Sequence, residues 1–395
     1  MHRRTAAPLT IAGVAALTLA ACGGPGAEGD DGDGPIGIGV ISDLSGATAD
    51  VGTPYSEGIR GYADWLNEQG GIEGRELDLN LNDYAYDVAR AEQLYSQYVN
   101  EGVVAVQGWG TGDTEALRQR IAQDELPFMS ASYSEELVDP DEAPYNFVVA
   151  ATYSDQMRVA LDWIAEDAGG DSAVAVFHHD SPFGTAPVGD GEEHIEGNDL
   201  DLDYASYAMP DGATDYVSQL NRAASAGAEY IVVQNVSSPA AMLANNIAEQ
   251  GLDLTVVCLN WCADEQFIEL AGDAAEGHVM VQPFAPPTEP LPGHEAPAEF
   301  LESRGDSLEN KGLHYVQGWY TMHVMAEGIR HTIESGEELT GSALRDALRS
   351  MDAVDTGDVT QPISFDDESH RGMTGTGIYE VSDGEMVELA RGVTP

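Results

Sequence analysis

The chain is poor in positive charge. Its 395 residues hold 16 lysines and arginines against 69 aspartates and glutamates, a formal net charge of -53. A field of that sign repels nucleic acid and anionic membrane surfaces, which excludes both as partners. Aromatics are sparse at 7%, and there are three cysteines, too few for a disulfide-built scaffold. One apolar run stands out, Ile11 to Ala21, and it is too short to span a bilayer. Nucleophile and nucleotide signatures are also missing. There is no G-x-S-x-G elbow, no H-E-x-x-H and no G-x-x-x-x-G-K-[ST], so a secreted hydrolase rests on composition alone and no enzyme is expected. The acidic excess fits a surface kept soluble at high salt, where self-repulsion is screened, or simple acidic drift in a secreted protein.

What is present begins with a leader. His2, Arg3 and Arg4 precede the apolar run, and Leu19-Ala20-Ala21-Cys22 closes it with small residues before a cysteine. This resembles a bacterial lipobox, which implies a signal peptide over 1–21 and lipidation of Cys22 as the mature N-terminus. Two or more acyl chains anchor stably where one holds weakly. Residues 22–35 are nearly all Gly, Asp, Glu, Ala and Pro and read as a disordered acidic tether. Asp30, Asp31 and Asp33 lack the full ligand pattern of a calcium loop.

From Ile36 the pattern changes. Ile36, Ile38 and Val40 form an apolar run, Ser42 to Gly52 a polar loop, and Ile59, Tyr62, Ala63 and Leu66 one face of a helix that stops at Gly70-Gly71 before Leu77, Leu79 and Leu81. This is a βαβ unit. Strands at Val103 to Val106, Phe128-Met129, Ala173 to Phe177, Tyr230 to Val233 and Thr255 to Cys258 alternate with helices over Met157 to Glu166, Tyr216 to Ala226 and Ala240 to Gln250. Such alternation predicts parallel sheets covered on both faces, and 43% hydrophobic residues suffice for two domains.

The opening IGIGVISDLSGATADVGTPYSEGIRGYADWLNEQGGIEGRELDLNLND, the late NKGLHYVQGWYTMHVMAEGIR and FDDESHRG resemble, in that order, the type I periplasmic binding proteins of the branched-chain amino acid family. The resemblance spans the mature chain. It implies an α/β fold of two doubly wound Rossmann-like lobes joined by a three-segment hinge. Lobe one would hold 36–152 and 286–356, and lobe two 153–285 and 357–395. Crossings would fall near Val149 to Ser154, Gln282 to Pro287 and Gly357 to Ile363, where Pro283, Pro286, Pro287 and Pro362 suit hinges. The function implied is that of an extracytoplasmic, lipid-anchored receptor that passes a small molecule to the permease of an ABC importer, as a monomer and without a cofactor. A sensor domain of the same fold is the alternative, against which the lack of a later membrane span argues.

In open parallel sheets, ligands meet helix N-termini and free backbone N–H groups beyond the carboxyl ends of the strands. Trp109 to Thr114 and Ser130 to Ser134 are two such turns, and by resemblance Thr111, Asp113, Thr114, Ser130, Ser132 and Tyr133 hold or flank a ligand carboxylate. GWGTGDT has the wrong glycine spacing for a nucleotide fingerprint, and a plain tight turn is its other reading. In lobe two the family's aromatic matches Phe183, without a hydroxyl. A second tyrosine position falls near Val236 to Ser238, beside Asn235. The family's acidic partner of a ligand ammonium falls at Asn260 or Trp261, with Asp264 nearby. Trp109, Phe183 and Trp261 are then apolar or stacking walls, or else core. Cys258 and Cys262 leave a disulfide open. His178-His179-Asp180, at a strand end, is read as non-metal, and no metal site is expected.

Overall fold

The computed structural model describes residue 32 and residues 34–395. The leader, Cys22 and most of the acidic tether lie outside the described residues. Among the described residues no helix is long and apolar enough to cross a membrane.

Two sheets organise the chain. The first has five parallel strands in the order β2-β1-β3-β4-β5: β1 (Ile36–Ser42), β2 (Leu77–Asp83), β3 (Ala105–Gly108), β4 (Phe128–Ser130) and β5 (Asn146–Phe147). The second has seven in the order β12-β11-β10-β9-β8-β6-β7. Its parallel part comprises β6 (Ser172–His179), β7 (Leu202–Met209), β8 (Tyr230–Gln234), β9 (Thr255–Leu259) and β10 (Val279–Gln282), and the antiparallel strands β11 (Thr376–Ser382) and β12 (Glu385–Val393) close one edge. Central strands such as β3, β8 and β10 are buried along their whole length, as a sheet covered by helices on both faces requires. The α/β class with two parallel-dominated sheets is therefore as the sequence pattern indicates.

Chain order does not follow sheet order. After β10, residues 292–350 return as helices that pack on the first sheet's side, where Leu313–Glu334 lies along Ala49–Glu68. The two helices approach closely because both carry glycine at the crossing. A Cβ on Gly58 would overlap the Tyr315 carbonyl, and one on Gly318 the Tyr55 carbonyl. Around the contact, Tyr55 donates to Thr321 Oγ1 at 2.8 Å and Tyr62 meets Trp319 edge to face. Gly312, with φ +76°, breaks the late helical stretch into Leu308–Lys311 and Leu313–Glu334. The segments expected as crossings near 282–287 and 357–363 run side by side, with the Ala285 N–H donating to the Val359 carbonyl at 2.8 Å.

One apolar cluster fills the first sheet's surroundings and continues across to Phe183, Val236 and Trp261, and two more cover the faces of the second sheet. Replacing either crossing glycine should disturb this joint. Gly58→Ala and Gly318→Ala are each expected to destabilise by at least about 1–3 kcal/mol, the usual cost of overpacking, read as a lowered urea midpoint with unchanged slope.

Candidate functional site

The site is assembled from loops at the carboxyl ends of both sheets. After β1 the chain turns at Asp43, which accepts from the N–H of Gly46 at 2.6 Å and of Thr48 at 2.9 Å, and from Thr48 Oγ1 at 2.7 Å. Thr48 Oγ1 in turn accepts from Trp109 Nε1 at 2.8 Å. A buried carboxylate thus orients a hydroxyl, and that hydroxyl orients the indole that follows β3. Just beyond, Gly110 precedes the helix Thr111–Asp124, whose first amides have no intrahelical acceptor. Thr111 Oγ1 shares a 2.7 Å hydrogen bond with Ser132 Oγ from the turn after β4.

The second sheet presents Phe183 after β6, Val236 after β8 and Trp261 after β9. Trp261 Nε1 donates to Tyr153 Oη at 2.9 Å. Its ring stacks on Tyr133 at 5.6 Å and 25°, and on His314 at 5.2 Å and 28°. Trp109 lies 5.1 Å from Trp261 and Tyr55 5.8 Å, so rings from the two sheets touch directly and the cleft is closed. A small cavity of about 20 Å³ remains, lined by Thr48, Tyr86, Trp109, Gly110, Thr111, Ala131, Tyr153, Phe183, Val236 and Trp261.

Of the residues singled out in the sequence, Trp109, Thr111, Phe183 and Trp261 line this cavity. Ser132 and Tyr133 stand against it through Thr111 and Trp261, and the Tyr133 hydroxyl is buried without a hydrogen-bond partner. Others are turned to structural work. Thr114 Oγ1 donates back to the Gly110 carbonyl, and Ser130 Oγ accepts from the Ser132 N–H. Asn235 accepts from the Val236 N–H and donates to Met209 Sδ. Asn260 is fully buried outside the lining, its Oδ1 accepting from Gln317 Nε2 at 2.8 Å and its carbonyl from Gln282 Nε2 at 3.0 Å. Asp113 also stays behind the lining, accepting from Tyr84 Oη at 2.9 Å. Burial raises its carboxyl to about 7, and Tyr84 and nearby backbone donors offset only part of that. Cys258 and Cys262 are buried free thiols side by side, and Cys262 Sγ donates to the Val233 carbonyl. His179 accepts or donates at Ser181 Oγ and packs on Phe183, and burial pulls its imidazole down toward the neutral form.

Thr48, Tyr86 and Tyr153 line the cavity without having been singled out, as does Val236 itself. Thr48 and Tyr153 each sit within a stretch marked as a loop or a crossing. What the sequence lacked was any sign that Asp43 or Trp261 would orient them.

Behind Trp261 the charges are paired across the cleft. Asp264 heads the helix Glu265–Ala271, accepting from the Phe267 N–H at 2.7 Å, from Ser237 Oγ at 2.5 Å and from His314 Nε2 at 2.7 Å. Glu265 Oε2 accepts from the Leu313 N–H at 3.1 Å, while its Oε1 is enclosed without a partner. Burial first, then the Asp264 charge, raises Glu265 to about 7. Burial pulls the His314 imidazole down, but the hydrogen bond and charge of Asp264 more than offset this, so it is raised. Near the edge of the cleft Asp50 Oδ2 accepts from the Ser238 N–H at 3.1 Å.

Two α/β sheets whose carboxyl-end loops close on one small cavity define a cleft-binding receptor. The periplasmic binding protein family model matches residues 35–385, and the chain belongs to that family. The leucine-, isoleucine-, valine-, threonine- and alanine-binding protein of Pseudomonas aeruginosa is 23% identical over 345 residues, 87% of each chain. A branched-chain amino acid ABC transporter protein of Thermus thermophilus, solved with bound valine, is 27% identical, with a TM-score of 0.86 over 92% of this chain and 97% of that one. An ABC transporter substrate-binding protein of Aeropyrum pernix is 26% identical, with a TM-score of 0.84 over the same shares. These relatives are solute-binding proteins, and the chain is a binding protein rather than an enzyme, with the type I periplasmic binding protein fold.

The buried cluster behind Trp261 makes stability depend on pH. Glu265 is raised from 4.5 to about 7 and His314 is raised as well, so both bind protons more tightly in the folded chain. Their contribution is complete below the unfolded values and fades as pH climbs through the folded ones. Glu265→Gln, which keeps the acceptor for Leu313, is expected to flatten the fall in melting temperature between about pH 5 and pH 8 by a few degrees relative to the wild type, measured by calorimetry.

Proposed function

We propose that the protein is an extracytoplasmic receptor, tethered to the cell membrane through lipidated Cys22, that captures a small carboxylate-bearing solute between its lobes and presents it to an ABC permease. The observation that carries this reading is the cavity itself. It lies between the two sheets, walled by rings from both, with the N-terminus of the Thr111–Asp124 helix at its edge. Helix N-termini attract anions through their amides and the helix dipole. The relatives' names, which concern amino acid binding and ABC transport, support the same class of role.

In this reading lobe one comprises 36–152 and 286–356, and lobe two 153–285 and 357–395, hinged at the crossings. Ligand favours the closed form because only there do Trp109 and Thr111 on one side and Phe183 and Trp261 on the other contact it together. The receptor acts as a monomer. Its acidic surface keeps it apart from nucleic acid.

Thermal-shift screening of the mature domain against amino acids, amides and small carboxylates is expected to yield stabilising compounds that carry a carboxylate. Saturation with such a compound should reduce the radius of gyration in solution scattering without changing far-UV circular dichroism. An unchanged radius would count against a two-lobe clamp. Trp109→Ala is expected to weaken binding by about tenfold or more and, because Trp109 is also buried in the apolar cluster, to lower the melting temperature, so titration is run where circular dichroism shows the variant folded. Cys22→Ala should move the protein from carbonate-washed membranes to the soluble fraction, and retention in the membrane would refute the lipid anchor.

A further inference from the structure

Among the ten residues that line the cavity none carries a charged side chain. Its hydroxyls are largely committed. Thr48 Oγ1 is held between Asp43 and Trp109, Thr111 Oγ1 pairs with Ser132, and Tyr153 Oη accepts from Trp261. Beside the cavity stand the opening of the Thr111–Asp124 helix, whose N-cap Gly110 brings no side-chain acceptor, the buried and unpartnered Tyr133 hydroxyl, and, behind Gly110, the Asp113 carboxyl, which burial raises to about 7 and whose Oδ2 has no partner.

Most of the acidic side chains around the cleft are engaged elsewhere. Asp43 is occupied by the loop at Gly46 and Thr48, Asp50 by Ser238, and Asp264 by Ser237, Phe267 and His314. Asp113 stands behind the lining, its Oδ1 on Tyr84 and its Oδ2 without a partner. A ligand ammonium in this cavity would lose its water and face Trp109, Phe183, Val236 and Trp261 with no carboxylate to receive it. Leaving a buried charge unpaired is costly, whereas a carboxylate here meets a helix N-terminus and the Tyr133 hydroxyl. The free space in this closed cleft is about 20 Å³, roughly what one water needs, so a ligand enters only by spreading these rings apart and a small one spreads them least.

We propose that this cleft selects small monocarboxylic acids with a flat or branched apolar body and no α-ammonium group, and that Trp261 is the residue that sets the preference. The proposal rests on the receptor reading above and narrows its ligand class. Trp261 does so because its indole occupies the second-lobe wall, anchored by Tyr153 and stacked on Tyr133 and His314, and screens the cavity from the Asp264 carboxylate behind it.

The test compares matched pairs by calorimetric titration of the wild-type mature protein: 4-methylpentanoate with leucine, 3-methylbutanoate with valine, and phenylacetate with phenylglycine. In the pairs that bind, the acid without the amine is expected to bind at least about tenfold more tightly than its amino counterpart. If the amino acids bind equally well or better, the proposal is overturned while the receptor reading stands. If no carboxylate of either set binds but isovaleramide or benzamide does, the carboxylate-receptor reading falls and the proposal falls with it. Trp261→Glu, checked for folding by circular dichroism, should narrow the difference within each pair by about tenfold. A folded variant that keeps the full wild-type preference overturns the assignment to Trp261, and the wild-type comparison needs no variant at all.

Discussion

The contact on which the closed molecule depends is the packing of the Trp261 indole against rings from the opposite lobe. Trp109 and Tyr133 reach it from the first sheet's loops, Tyr55 from the helix Ala49–Glu68, and His314 from the long helix that returns to that side. Aromatic side chains remove large apolar areas from water, and offset or edge-on pairs add about 0.5–1.5 kcal/mol each beyond that burial. The joint is therefore apolar at its centre, and the first hydrophobic cluster runs through it without interruption. A clamp built this way closes by hiding surface. Its selectivity comes from which polar groups are left facing inward.

Those groups are arranged in layers around the rings. Closest in are hydroxyls and a helix N-terminus, next Asp43 and Asp264, whose carboxylates the protein partners, and Asp113, which Tyr84 meets at one oxygen only. The net charge of -53 is carried elsewhere. An interior spared charge can discriminate by desolvation alone, because a cation entering it exchanges water for hydrocarbon. The pair formed by Asp264 and His314 also ties the second lobe to the long helix, so the same residues that back the cavity wall hold the lobes in register.

Much of this was legible before folding. The alternation of apolar strands with amphipathic helices declared two parallel sheets, and the strands at Ala105–Gly108, Phe128–Ser130 and Tyr230–Gln234 lie where the apolar runs placed them, because a strand buried on both faces must be apolar along its length. The turns beginning at Trp109 and Ser130 stood out because strand-to-helix turns are where backbone amides are free. Asn260 lies elsewhere for a physical reason. A side chain one residue from Trp261 points away from it, and here it enters a buried amide network with Gln282 and Gln317 instead of the cleft.

By itself the sequence determined the class: an α/β chain with two sheets, loops at their carboxyl ends, and no nucleophile in a recognised setting. Periodicity and local turn chemistry suffice for that, since they act within a few residues. Only the tertiary structure decided which loops face one another, that Thr48 orients Trp109, that Tyr153 anchors Trp261, and that Cys258 and Cys262 are buried side by side. Those outcomes depend on contacts between residues tens to hundreds of positions apart, whose distances and orientations no local pattern encodes.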